Sequence, residues 1–114
     1  MDRDITLYIK DIIENMDYAE EFVGNLSYED FLLDPKTYYS VVRCIEIIGE
    51  ASKNVPGNIR SKHRNIPWKK MSGMRDKMSH FYFGIDLEVV WHVVKEEIPM
   101  VKPLLKKVYE EMKR

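Results

Sequence analysis

The residues best equipped for chemistry lie in one short run, GMRDKMSHFYFG, from Gly73 to Gly84. It holds Arg75, His80 and Tyr82, with Asp76 beside the arginine. Arginine is a permanent cation whose planar fork matches phosphate oxygens. Histidine titrates near pH ~6.5 and can take or give a proton at neutral pH. Together they suit phosphoryl transfer without a metal. In RNA a base can activate the 2′-hydroxyl against the neighbouring phosphate, while a guanidinium stabilises the charge that builds there. DNA lacks that hydroxyl, so the same pair would not cut DNA in this way. Asp76, four residues before His80, can hold the imidazole and favour its protonated form.

The spacing constrains how such a site is built. Five residues on a continuous helix place Arg75 and His80 about 140° apart, on different faces. They converge only where a helix ends between them and the chain turns back, and Ser79 and Gly84 mark such an ending. A purely structural reading stands beside this one. In it Arg75 pairs with an acid, His80 caps a helix, and Tyr82 and Phe83 are core or rim aromatics.

The elements around the run are helical. Ile5, Ile9, Ile12, Met16, Ala19, Val23 and Leu26 recur at three- and four-residue steps, which predicts a helix over about 4–26. Ser27 with Asp30 three residues on suggests a capped short turn. Asp34 and Pro35 open a second long helix, closed by Pro56–Gly57, with Tyr38, Val41, Val42, Ile45, Ile48 and Ala51 on its apolar face. NIRSKHRNI reads equally as a short helix or a loop. Pro67 starts a third helix that carries Trp68, Met71, Met74 and Met78 and ends near Ser79. Asp86 caps the last, which Pro99 and Pro103 must kink or split. The expected fold is all-α: an up-and-down bundle of about four main helices, with residues 1–114 forming a single domain.

Composition narrows the class. Hydrophobic residues make up 45% and charged residues 32%, an ordinary globular balance in 114 residues. The net charge of −1 excludes a bulk polycation. The charge is uneven, however. Residues 1–34 hold ten acids against Arg3 and Lys10, a balance of −8. Residues 60–77 hold seven bases (Arg60, Lys62, Arg64, Lys69, Lys70, Arg75 and Lys77) against Asp76, a balance of +6. That run is either a solvated helix face or a local anion-binding surface for RNA. Cys44 alone rules out an internal disulfide and reads as a small core residue. His63, His80 and His92 lack metal-ligand spacing; His63 could touch phosphate or be an idle surface residue, and His92 reads as structural. Trp68 and Trp91 read as packing anchors. No metal or cofactor is expected, no apolar run is long enough to span a membrane, and the first residues do not resemble a signal peptide. A reducing cytoplasm is the expected compartment.

MRDKMSHFYFGIDLEVVW resembles the signature of the HEPN superfamily, in particular the HepT-like toxins of MNT–HepT toxin–antitoxin systems. Their motif is an arginine, four residues, a histidine, one residue and a tyrosine, here Arg75, His80 and Tyr82. CIEIIGEASKNVP, IPWKKMSGMRD and YFGIDLEVVW follow in the family's order. The resemblance implies a homodimer whose two Arg–His pairs face one cleft, and a metal-independent endoribonuclease that leaves cyclic-phosphate ends. It makes Arg75 and His80 catalytic, with Asp76 supporting by its place four residues before His80, and implies a type VII-like system. There a minimal nucleotidyltransferase antitoxin adds AMP to Tyr82. The substrate would be RNA, with tRNA and mRNA both open, guided by Arg60, Lys62, Arg64, Lys69, Lys70 and Lys77. Many HEPN proteins carry an Asn-like residue where this chain has Asp76, an acid able to pair with Arg75. The rival readings are a non-catalytic HEPN adaptor that docks the nucleotidyltransferase, and a plain structural bundle.

Overall fold

Among the described residues, four side-chain caps set the frame. Asp4, Ser27, Asp34 and Asp86 each accept a hydrogen bond from a backbone N–H in the following first turn, at 2.9, 3.1, 3.2 and 2.9 Å. Such caps satisfy donors that a helix start leaves open. The computed structural model describes residues 4–79 and 86–113, with the backbone alone at 77 and 79. The helices are α1 (Ile5–Val23), α2 (Tyr28–Leu32), α3 (Pro35–Lys53), α4 (Gly57–Lys62), α5 (Trp68–Ser79), α6 (Leu87–His92) and α7 (Ile98–Lys113). The fold is all-α, and α1, α3, α5 and the α6–α7 run are the main helices. α1 stops earlier than its apolar stripe suggests. Gly24 takes a φ of 51°, which only glycine adopts without strain, and turns the chain toward α2.

The stripes face one another. Ile9, Ile12, Met16, Ala19 and Val23 of α1 are buried with Val41, Val42, Ile45 and Ile48 of α3. Trp68, Met71, Met74 and Met78 of α5, and Val101, Leu105 and Val108 of α7, complete the same core. α3 is central, packing mainly on α1 and α5. Cys44 is buried, and that burial pushes its thiol pKa up, away from the reactive thiolate. Trp91 packs on Tyr28 and Phe31, with ring centroids 5.6 and 5.2 Å away. The ambiguous stretch after Pro56 contains a short helix, α4.

The two prolines of the last segment act differently. Between α6 and α7 the chain widens into a π-helical turn, Val93–Glu97. The Ile98 N–H reaches back five residues to Val93 O. Pro99 has no N–H, and its ring would crowd the carbonyl four residues earlier; widening the turn relieves both problems. Pro103 lies inside α7. Among the described residues, no helix is long and apolar enough to cross a membrane.

Candidate active site

α5 presents Arg75 at its contact with α3. Its neighbour Met74 belongs to the buried stripe, so Arg75 lies on the flank of that stripe, and its side chain is 46% exposed. The two helices meet closely at Gly49. A β-carbon there would lie 2.7 Å from Arg75 N and 2.9 Å from Arg75 Cβ. One residue on, Glu50 places Oε2 2.7 Å from Arg75 Nε. Asp76 lies 3.2 Å from Lys53 Nζ and 3.9 Å from Arg75 Nη1. The nearer acid to Arg75 is therefore Glu50, and the nearer cation to Asp76 is Lys53. The four groups form a line of alternating charge between α3 and α5.

Arg75 also lines a cleft of about 300 Å³ with Tyr8 and Asp11 of α1 and Arg43, Glu46, Glu50 and Asn54 on the α3 side. Arg43 Nη1 lies 4.0 Å from Glu46. Among the described residues, the cleft joins two guanidinium groups to three carboxylates. A phosphate entering it finds Arg75 already held on one edge, through Nε. A guanidinium offers five N–H donors, so the terminal groups keep the capacity to grip a second anion.

The basic run divides on folding. Arg60 is half-buried, and its Nε donates to Val55 O at 3.0 Å. Its Nη2 donates to Ser52 O and to Ser72 Oγ. This guanidinium staples the end of α3 to α5. Arg64, Lys69 and Lys70 line a shallow hollow of about 580 Å³ beside Trp68, and Lys70 also pairs with Glu97. Lys62 is exposed. His63 Nε2 sits 3.7 Å from Glu111, its carbonyl accepts from Trp68 Nε1 at 3.0 Å, and His92 is exposed. His80, Tyr82 and the side chain of Lys77 lie outside the described residues.

Residues 12–108 match the family described as ribonuclease HepT-like. The chain belongs to that family. It is 48% identical over 101 residues to a Thermococcus cleftensis protein named probable ribonuclease HepT, covering 89% of this chain and 92% of the relative. A Methanocaldococcus jannaschii relative is 44% identical, covering 96% of this chain and 91% of its own. One from Caldanaerobacter subterraneus is 40% identical, covering 93% and 95%. Both have RNase in their names. No solved structure matches at a significant level. The matched span includes Arg75, His80 and Tyr82, and also Glu50, which pairs with Arg75.

The sequence pattern missed Glu50. Its signal was an acid next to a glycine in IIGEASK, on a helix otherwise read for its apolar face.

Proposed function

We propose that this chain is a metal-independent endoribonuclease and the toxin of a type VII-like toxin–antitoxin system. The observation that carries this reading is Arg75, a motif arginine set at a polar cleft with its Nε held by Glu50. In the proposed reaction His80 takes the proton of a ribose 2′-hydroxyl. The 2′-oxygen attacks phosphorus, and the bond to the 5′-oxygen breaks as that oxygen takes up the proton that the His80 imidazolium returns. The products are a 2′,3′-cyclic phosphate and a free 5′-hydroxyl. Arg75 stabilises the charge on the equatorial oxygens. Asp76 supports the site. Lys62, Arg64, Lys69, Lys70 and Lys77 guide the RNA, whereas Arg60 serves chiefly as a staple. The chain acts as one domain in a cytoplasmic homodimer that brings two such sites to one cleft.

Control falls to a minimal nucleotidyltransferase antitoxin that transfers AMP to Tyr82. Each AMP brings a phosphodiester charge and a nucleoside's bulk to a residue seven positions after Arg75, and opposes an RNA phosphate at that arginine. The three carboxylates of the cleft favour a second reading, a non-catalytic adaptor that docks the nucleotidyltransferase. The deciding experiment incubates purified protein with RNA in excess chelator. Cleavage to cyclic-phosphate ends that disappears in His80→Ala supports the ribonuclease. Intact RNA, with Tyr82 still modified by the nucleotidyltransferase, supports the adaptor.

A further inference from the structure

We propose that Gly49 and Glu50, adjacent on α3, are positioning residues for Arg75: the glycine sets its distance from α3 and the carboxylate sets its direction. For its activity arm the proposal rests on the ribonuclease reading above.

The argument begins with a cost. A half-exposed arginine has roughly 2 kcal/mol of rotamer entropy, and a freely moving guanidinium seldom points at one place. A site that must stabilise a transient charge needs its donor fixed beforehand, because misplacement by about 1 Å can cost about a hundredfold in rate. Two contacts reduce that freedom. At Gly49 the α3 backbone comes so close that an added methyl would meet the amide nitrogen and β-carbon of Arg75, at 2.7 and 2.9 Å, and Met71 O at 3.1 Å. These are backbone or near-backbone atoms, so a side chain here must push α5 itself. The position of the Arg75 backbone is thus set by the lack of a side chain at Gly49.

Glu50 then sets the side chain. Its Oε2 meets Nε, not the terminal nitrogens. A carboxylate on the fork itself would compete with phosphate; one on Nε can orient the group and leave the fork. Lys53, one turn further along α3, lies 3.2 Å from Asp76 and 3.9 Å separates that carboxylate from Arg75 Nη1. The same face of α3 thereby draws the neighbouring acid toward a cation of its own. Glu50 is 56% exposed, so its replacement removes no core contact.

The test uses the full-length protein with two readouts. In the first, the Nε–H signal of Arg75 is followed by proton–nitrogen NMR. It is expected to be sharp in the wild type, retained in Glu50→Gln, which keeps an acceptor oxygen, and broadened by exchange in Glu50→Ala. In the second, cleavage of a short RNA is measured at varied substrate concentration. Glu50→Ala is expected to lower kcat about tenfold without raising KM, and Glu50→Gln to recover it to within about threefold. Gly49→Ala is expected to lower kcat by at least as much as Glu50→Ala. A wild-type protein that cuts no RNA would end the ribonuclease reading and leave the NMR arm to decide this one. An unchanged Arg75 signal in Glu50→Ala overturns the positioning role. So does a kcat that stays level or rises, the latter because Glu50 would then be blocking the site.

Discussion

Arg60 and Arg75 lie on the same basic run, and folding gives them opposite surroundings. Arg60 turns back onto two carbonyls and a hydroxyl, all neutral acceptors, at the seam between α3 and α5. Arg75 meets carboxylates at a cleft and keeps nearly half of its side-chain surface in solvent. On the proposed function, what separates a structural arginine from a working one is how much of the fork remains for an incoming anion. Arg60 spends Nε and one terminal nitrogen on its own chain, whereas Arg75 spends mainly Nε.

The sharpest way to break this comparison is to remove each arginine in turn. Arg75→Ala is expected to cut RNA cleavage by about 10² to 10³, the usual effect of deleting a donor to a developing oxyanion. Its melting temperature should hardly move, because its ion pairs are exposed and such pairs contribute little. Arg60→Ala should show the reverse: a loss of about 1 to 2 kcal/mol in denaturant unfolding, from half-buried acceptors left without their donor, with cleavage by the folded fraction retained. If both variants lose activity equally at equal stability, the division between staple and site is wrong.

The helices were largely legible in the sequence because their signals are local. Ser27, Asp34 and Asp86 stand where caps are needed, and the stripes of α1, α3 and α5 recur at helical steps and are largely buried. Pro99 showed that the last segment would be interrupted, but not that a π-helical turn would absorb it. The site was legible only in part. Glu50 and Arg75 are 25 positions apart, and their meeting depends on the registry of α3 against α5, which no local period encodes. Counting charge along the chain could not separate Arg60 from its neighbours either. Its partners are two carbonyls at and just past the end of α3 and a hydroxyl on α5, and these carry no charge to count.

A smaller effect tests the rest of the run. Arg64 and Lys69 flank the hollow beside Trp68. If they contact phosphates, neutralising either should weaken RNA binding and reduce the slope of log affinity against log salt by about 0.7, the single-strand value for one contact. Binding at varied salt measures this directly. An unchanged slope would make the run a solvated face, and Arg75 would then act without a basic approach.

Lys102 sharpens the comparison from the other side, because it too has carboxylate partners yet is not one of the residues that line the cleft. Its Nζ reaches Asp17 at 2.8 Å and also pairs with Glu20, and its side chain is 20% exposed. It ties α7 to α1 and has little left for an anion, so a carboxylate partner by itself does not mark a working cation. The hydrogen bond to Asp17, then that to Glu20, raises its pKa above the ordinary 10.5. A raised value means the folded state holds the proton more tightly than the unfolded chain. Its contribution is present in full below the ordinary value and is lost as pH climbs through the folded one. Lys102→Met should therefore unfold about 1 kcal/mol more easily than wild type near neutrality, and the gap should shrink at pH values above 10.5. Denaturant unfolding of both proteins at neutral and alkaline pH reads this out, since titrations common to the two cancel in their difference. A gap that stays constant through the alkaline range would mean that packing of the lysine stem, not its charge, holds α7 to α1.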